Sequence, residues 1–239
     1  MKKTKEKQIT SYEQLVRICE SFGARYNPSN DAIKPTALST LLEQAQQSVE
    51  AVTVAQQAKT FVISDRNAAY AGIPKLATRI FHAMAASKAP KQTLEDAMQI
   101  RQTLVYHPPK TRSTPVEGSG TEKVKRSGNL AAQLNFEAKA KNFSRLIDCV
   151  RTLPSYAPIE EDLKLETLEA FQRKLVHLTK EVIRRNAVTQ EARINRDAML
   201  FGERGIYATA QVVKHYVRSA FLHNSGEVDK VSSIPFSSR

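Results

Sequence analysis

The side chains best suited to chemistry in this chain are five histidines, two cysteines and two acidic clusters, and their spacing argues against each of the usual centres. His82, His107, His177, His215 and His223 never stand four residues apart, as the two zinc ligands of a His-Glu-x-x-His helix must. None follows an Asp or Glu by three, as a di-iron carboxylate helix requires. There is no Cys-x-x-Cys, no Gly-x-Ser-x-Gly elbow and no Gly-x-x-x-x-Gly-Lys-Ser/Thr phosphate loop. Cys19 and Cys149 each sit beside aliphatic residues at helical spacing and read as small buried hydrophobes. Glu95-Asp96 and Glu160-Glu161-Asp162 precede or open helices, where the positive end of the helix dipole favours carboxylates. No catalytic residue, cofactor or metal is therefore expected, and the chain reads as non-enzymatic.

Two polar constellations stand above this background. Asp65-Arg66-Asn67 and Asn195-Arg196-Asp197 lie at corresponding places near the ends of two long helical segments. They would form either a shared polar site, for an enzyme or ligand binder, or a structural ion-pair and capping network, and the second reading is the commoner one. The other constellation is basic. Arg173, His177, Lys180 and Arg184 follow one another at i, i+4, i+7 and i+11, one stripe along a helix, with Lys174 and Arg185 beside it. Lys123, Lys125 and Arg126 add cations in the segment between the two halves. A basic helix stripe with basic arms is a surface for tracking phosphates without reading sequence. Interspersed Glu166, Glu169 and Glu181 weaken its field, and aromatic side chains for base stacking are scarce.

The elements that carry these residues follow from an internal repeat. A shift of 130 residues places Leu38 on Leu168, Leu41 on Phe171, Ala45 on Leu175, Val52 on Val182, Asp65-Arg66-Asn67-Ala68 on Asn195-Arg196-Asp197-Ala198 and Gly72 on Gly202. Tyr26 and Pro28 fall on Tyr156 and Pro158 at the same shift. The repeats run over about 11–88 and 142–220. In each, the apolar spacing predicts a short helix, a turn at the proline, a long helix (36–71 and 166–201) and a returning helix after a glycine break. The long segments, free of Gly and Pro, would each make a helix of roughly 50–55 Å at 1.5 Å per residue. Leu168, Phe171, Leu175, Leu178 and Val182 form a heptad seam whose natural partner is the other long helix. The fold expected is all-α, a tandem duplication of a three-helix unit packed as an elongated antiparallel helical bundle. The alternative is two separate three-helix units on a tether.

Composition agrees with that class. The 239 residues are 41% apolar, with only 8 Gly and no Trp, and straight-chain helix formers dominate. The net charge of +12 is densest in residues 1–10 and 89–141. Five segments result: a basic flexible tail (1–10), the first helical repeat with an accessory helix (11–106), a basic Pro/Ser/Gly-rich linker (107–141), the second repeat (142–223) and a C-terminal tail (224–239). In that last tail Val231, Ile234 and Phe236 are expected to dock as an extended patch. No apolar run reaches the roughly 20 residues of a membrane span, and no apolar segment follows the charged start, so a cytoplasmic protein is expected.

One resemblance adds to this. Ala192-Arg-Ile-Asn-Arg-Asp-Ala-Met-Leu-Phe201, Val213-Lys-His-Tyr-Val-Arg-Ser219, Ser155-Tyr-Ala-Pro158 and Thr93-Leu-Glu-Asp-Ala-Met-Gln-Ile100 resemble an uncharacterised family of internally duplicated, all-helical bacterial proteins. The resemblance covers most of 11–236, implies the same duplicated helical fold and carries no known activity. A non-enzymatic helical interaction or scaffold protein is therefore the leading expectation, with a protein partner or self-association. A non-sequence-specific nucleic-acid-binding accessory protein is the alternative.

Overall fold

A computed structural model of the chain describes residues 2–105, 128–221 and 225–237. All regular structure among them is helical: α1 (Lys2–Ser21), α2 (Pro35–Ala71), α3 (Ile73–Ala86), α4 (Lys91–Val105), α5 (Gly128–Arg151), α6 (Leu165–Phe201), α7 (Ile206–Ala220) and α8 (Gly226–Ser232). Single 3-10 turns, Asp31–Ile33 and Glu161–Leu163, lead into the two 37-residue helices α2 and α6. Among the described residues no helix is long and apolar enough to cross a membrane.

The chain divides into two compact units, residues 1–59 with 185–239, and residues 60–184. The division does not follow the sequence repeats. Each unit takes part of α2, which is divided after Lys59, and part of α6, which is divided after Arg184, because a 37-residue helix outruns the shorter elements that could cover its apolar face.

In the first unit, Tyr12, Leu15, Val16 and Cys19 of α1 share a core with Leu38 and Ala45 of α2, Leu200 of α6 and Ile206, Ala210, Val213 and Val217 of α7. Every third or fourth residue of α7 is buried, the mark of an amphipathic helix with one apolar stripe. Phe22 packs on Phe221 with ring centroids 5.0 Å apart, and Tyr26 meets Tyr216 edge-on at 5.2 Å. The C-terminal segment closes this core. Val231 and Ile234 are buried and Phe236 is half-buried, while the Lys214 ammonium donates to the Ile234 carbonyl at 2.7 Å and sits 5.3 Å from the Phe236 ring. Residues 2–10, read from their charge as a tail, instead form the first turns of α1. Gln8 is buried there and Lys5 pairs with Asp197, contacts made by residues too distant in sequence to be anticipated.

In the second unit, Ile73, Ala77, Ile80 and Met84 of α3 face Ala97, Ile100 and Leu104 of α4 and Phe143, Leu146, Ile147 and Val150 of α5. Leu168 and Leu175, two members of the expected heptad seam, complete the core from α6. The segment 129–141, grouped with the linker but with its end expected to turn helical again, belongs to α5, which runs unbroken to Arg151. The rest of the linker lies outside the described residues.

The same local device starts both long helices. The Tyr26 hydroxyl donates to the Ile33 carbonyl at 2.8 Å, and the Tyr156 hydroxyl donates to the Leu163 carbonyl at 3.0 Å. Each pins the proline turn to the 3-10 turn that follows. Burial raises both phenols above their ordinary range, Tyr156 to about 12, so both remain protonated donors at neutral pH.

The two glycine breaks are not equivalent. Gly72 has helical backbone angles, and a Cβ there would meet nothing closer than the Ala69 carbonyl at 3.6 Å. At Gly205 a Cβ would lie 2.7 Å from the Met199 carbonyl and 2.9 Å from that of Ala198. Gly72→Ala is therefore expected to raise stability by about 0.5–1 kcal/mol, through the better helix former and the stiffer unfolded chain. Gly205→Ala is expected to lower it by roughly 1–3 kcal/mol through overpacking. Chemical denaturation of the two variants checks the pair of signs.

Candidate functional site

The two polar triplets fall in different units and in different chemical states. Arg66, in the second unit, is only 7% exposed. Its guanidinium stacks 3.9 Å above the centroid of the Phe136 ring on α5. Tyr70, one turn further along α2, meets the same ring edge-on at 4.8 Å. The Tyr70 and Thr179 hydroxyls share a hydrogen bond of 2.9 Å beside the Leu175 carbonyl, to which Thr179 also lies within 2.9 Å. Arg66 has no ion-pair partner among the described residues, and its buried Nε lacks a hydrogen-bond acceptor. Burial pulls its pKa below the ordinary value. An aromatic face supplies part of what a carboxylate would have given this cation. Asp65 and Asn67 beside it point outward and are exposed.

Arg196, in the first unit, holds a carboxylate instead. Its Nε and Nη2 donate to Asp197 Oδ1 at 2.9 and 2.8 Å, and Lys5 Nζ reaches the same oxygen. Burial alone would raise the Asp197 pKa, but the hydrogen bonds from Lys5 and Arg196 outweigh it and hold the group below the usual carboxylate range. Asn195 is exposed. Each arginine is thus committed to a neighbour within its own unit. The Arg66–Phe136 stack was not anticipated from the sequence; the only signal was an Arg and a Tyr four residues apart on one helix face.

The basic stripe stands on the outward side of α6. Arg173, Lys174, His177, Lys180 and Arg184 are all exposed. Arg184 is clamped by Glu181 through Nε and Nη2 at 2.7 and 2.6 Å. Arg173, Lys174 and Lys180 have no ion-pair partner among the described residues. Val176 and Ile183 interleave with these cations and are 37% and 45% exposed, so the stripe is mixed basic and apolar. Arg185 belongs to the first unit, where it is half-buried. With Val188 it lines a shallow apolar groove of about 410 Å³ whose other wall is Gln47, Glu50, Ala51, Val54, Ala55 and Ala58 of α2. Lys123, Lys125 and Arg126 lie outside the described residues.

Elsewhere, chemistry-bearing side chains do structural work. The Cys19 thiol is pushed up to about 11 by burial, and burial also raises Cys149, which leaves neither poised as a thiolate at neutral pH. Among the described residues no group of three or more His, Cys, Asp or Glu is placed to hold a metal ion.

Two predictions follow from the triplets. Arg66→Met, which keeps the stem and removes the buried cation, is expected to be neutral or stabilising, whereas Arg66→Ala is expected to cost about 2–4 kcal/mol through lost packing. Urea unfolding compares them. Because the folded pKa of Asp197 is depressed, its contribution is present above the unfolded value and lost as pH falls through the folded one. Asp197→Asn should therefore lower stability by about 1 kcal/mol at neutral pH and by progressively less towards acid, read from unfolding midpoints along a pH series. Compared with protein-family models, curated proteins and solved structures, the chain matches none, so its functional reading rests on these side chains alone.

Proposed function

We propose that the protein is a non-enzymatic helical interaction protein that works through the outward faces of its two long helices. The observation that carries this reading is where the large exposed apolar side chains lie. Val54 and Phe61 on α2, and Val176, Ile183, Val188 and Ile194 on α6, account for six of the ten such residues among those described. Phe61 is 71% exposed and Ile194 60%, while the inward faces of the same helices are filled by buried Leu38, Ala45, Leu168 and Leu175. Apolar side chains gathered on faces that the chain's own packing leaves uncovered are what a binding surface requires.

The architecture we infer behind it is a tandem duplication packed as an antiparallel bundle. Its support is the pair of 37-residue helices, each entered through a 3-10 turn held by a tyrosine hydroxyl seven residues earlier in the chain. A second reading, non-sequence-specific nucleic-acid binding, is favoured by Arg173, Lys174 and Lys180, which stand exposed without carboxylate partners among the described residues.

Cross-linking in cells tests the first reading. Val54→Asp and Phe61→Asp, made separately, should leave the melting temperature within a few degrees of wild type, as exposed substitutions do. At least one of them should remove cross-links that the wild type forms. Identical cross-link patterns in wild type and both variants would contradict it. Fluorescence anisotropy with labelled single- and double-stranded DNA and RNA, across a salt series, tests the second. Binding whose salt slope is reduced by Arg173→Gln with Lys180→Gln would support it, and binding that is absent or equal in the variant would remove it.

A further inference from the structure

The basic stripe has a counterpart of opposite sign. At the shift of 130 that aligns the two halves, Arg173, His177, Lys180 and Arg184 of α6 fall on Glu43, Gln47, Glu50 and Val54 of α2. All eight residues are exposed. Neither Glu43 nor Glu50 has an ion-pair partner among the described residues, and the same holds for Arg173 and Lys180. Two helix faces thus share spacing and exposure, and at two of the four matched positions, Glu43 against Arg173 and Glu50 against Lys180, they carry charges of opposite sign with no ion-pair partner among the described residues.

The shapes correspond as well. On α6, in the second unit, Arg173, Val176, Lys180 and Ile183 recur at steps of three, four and three, a ridge that alternates cation and branched apolar side chain. On α2, in the first unit, Gln47, Glu50, Ala51, Val54, Ala55 and Ala58 form one wall of the shallow groove whose other wall is Arg185 and Val188 of α6. Alanines there let another helix approach closely, and a glutamate at the rim offers a partner to a cation on that helix. The seven-residue interval from Glu43 to Glu50 equals that from Arg173 to Lys180, so both pairs can be met in one register.

Resting on the interaction reading above, we propose that the occupant of the basic α6 face is the acidic α2 face of a second copy of this chain. The contact is self-complementary. Each copy offers one acidic and one basic face, so the contact joins α2 of one copy to α6 of another. Val176 and Ile183 enter the alanine groove, and the Glu and Arg/Lys rows fix register and exclude the like-charged α2–α2 and α6–α6 pairings.

Sedimentation velocity on the full chain, over a concentration series at low and high salt, reads the assembly. The variants are Arg173→Glu with Lys180→Glu, Glu43→Lys with Glu50→Lys, and the four changes combined. Circular dichroism confirms that each is folded. The expected result is a wild-type dimer weakened by salt, a dissociation constant raised about tenfold or more in either double reversal, and recovery in the combined variant. A wild type that is monomeric throughout, or a dimer equally strong in both reversals, overturns the proposal. A monomer that still forms Val54- or Phe61-dependent cross-links to another protein overturns the second copy as occupant and leaves the interaction reading standing. A monomer whose nucleic-acid binding is lost with Arg173 and Lys180 overturns the proposal in favour of a phosphate-tracking surface.

Discussion

Length mismatch between helices is the constraint on which this structure depends. α2 and α6 are 37 residues each, whereas α3, α4 and α7 have 14 or 15. An amphipathic helix of roughly 55 Å cannot bury its apolar stripe against one partner of roughly 22 Å. The chain meets this by dividing each long helix between two cores. Leu38 and Ala45 of α2 belong to the first, and Tyr70 of the same helix to the second; Leu168 and Leu175 of α6 belong to the second, and Leu200 to the first.

That arrangement decides which polar groups are buried and how each is satisfied. A helix that carries a core on one side brings whatever stands on that side into low dielectric. Arg66 reaches the interior in this way and rests on the Phe136 ring, with no carboxylate partner among the described residues. Its sequence counterpart, Arg196, has an acid beside it and a lysine from α1 on the same oxygen. The same residue type at two positions 130 apart is thus held in two ways, by an aromatic ring at Arg66 and by an ion pair at Arg196. The outward faces had no such packing to satisfy. There the positions 130 apart differ in sign at Glu43 against Arg173 and at Glu50 against Lys180.

Much of this was legible from residue order. The all-helical class, the long helices and their breaks follow from apolar spacing at three and four with Gly and Pro as punctuation, and the stripe from Arg173 to Arg184 follows from the same periodicity. Other features were not, for physical reasons. Periodicity identifies which face of α2 is buried but not which element buries it, so the division of each long helix between two units could not be read. Charge alone made residues 2–10 look like a tail, although Lys5 and Gln8 find partners near the far end of the chain, at Asp197 and at the Ser237 carbonyl. Gly72 and Gly205 look alike as helix breakers, and only the close approach of backbone carbonyls separates them. Glu43 and Glu50 carried no signal in residue order, because their exposure is settled only by the packing of α2.

The central claim, that the outward faces of α2 and α6 are made to meet in different copies, is tested most directly by zero-length carboxyl–amine cross-linking of an equimolar mixture of unlabelled and nitrogen-15-labelled protein. The account predicts mixed-isotope peptides joining Glu43 or Glu50 to Lys174 or Lys180. Folded protein that yields no such mixed-isotope peptides, or yields these links only within single copies, would contradict it.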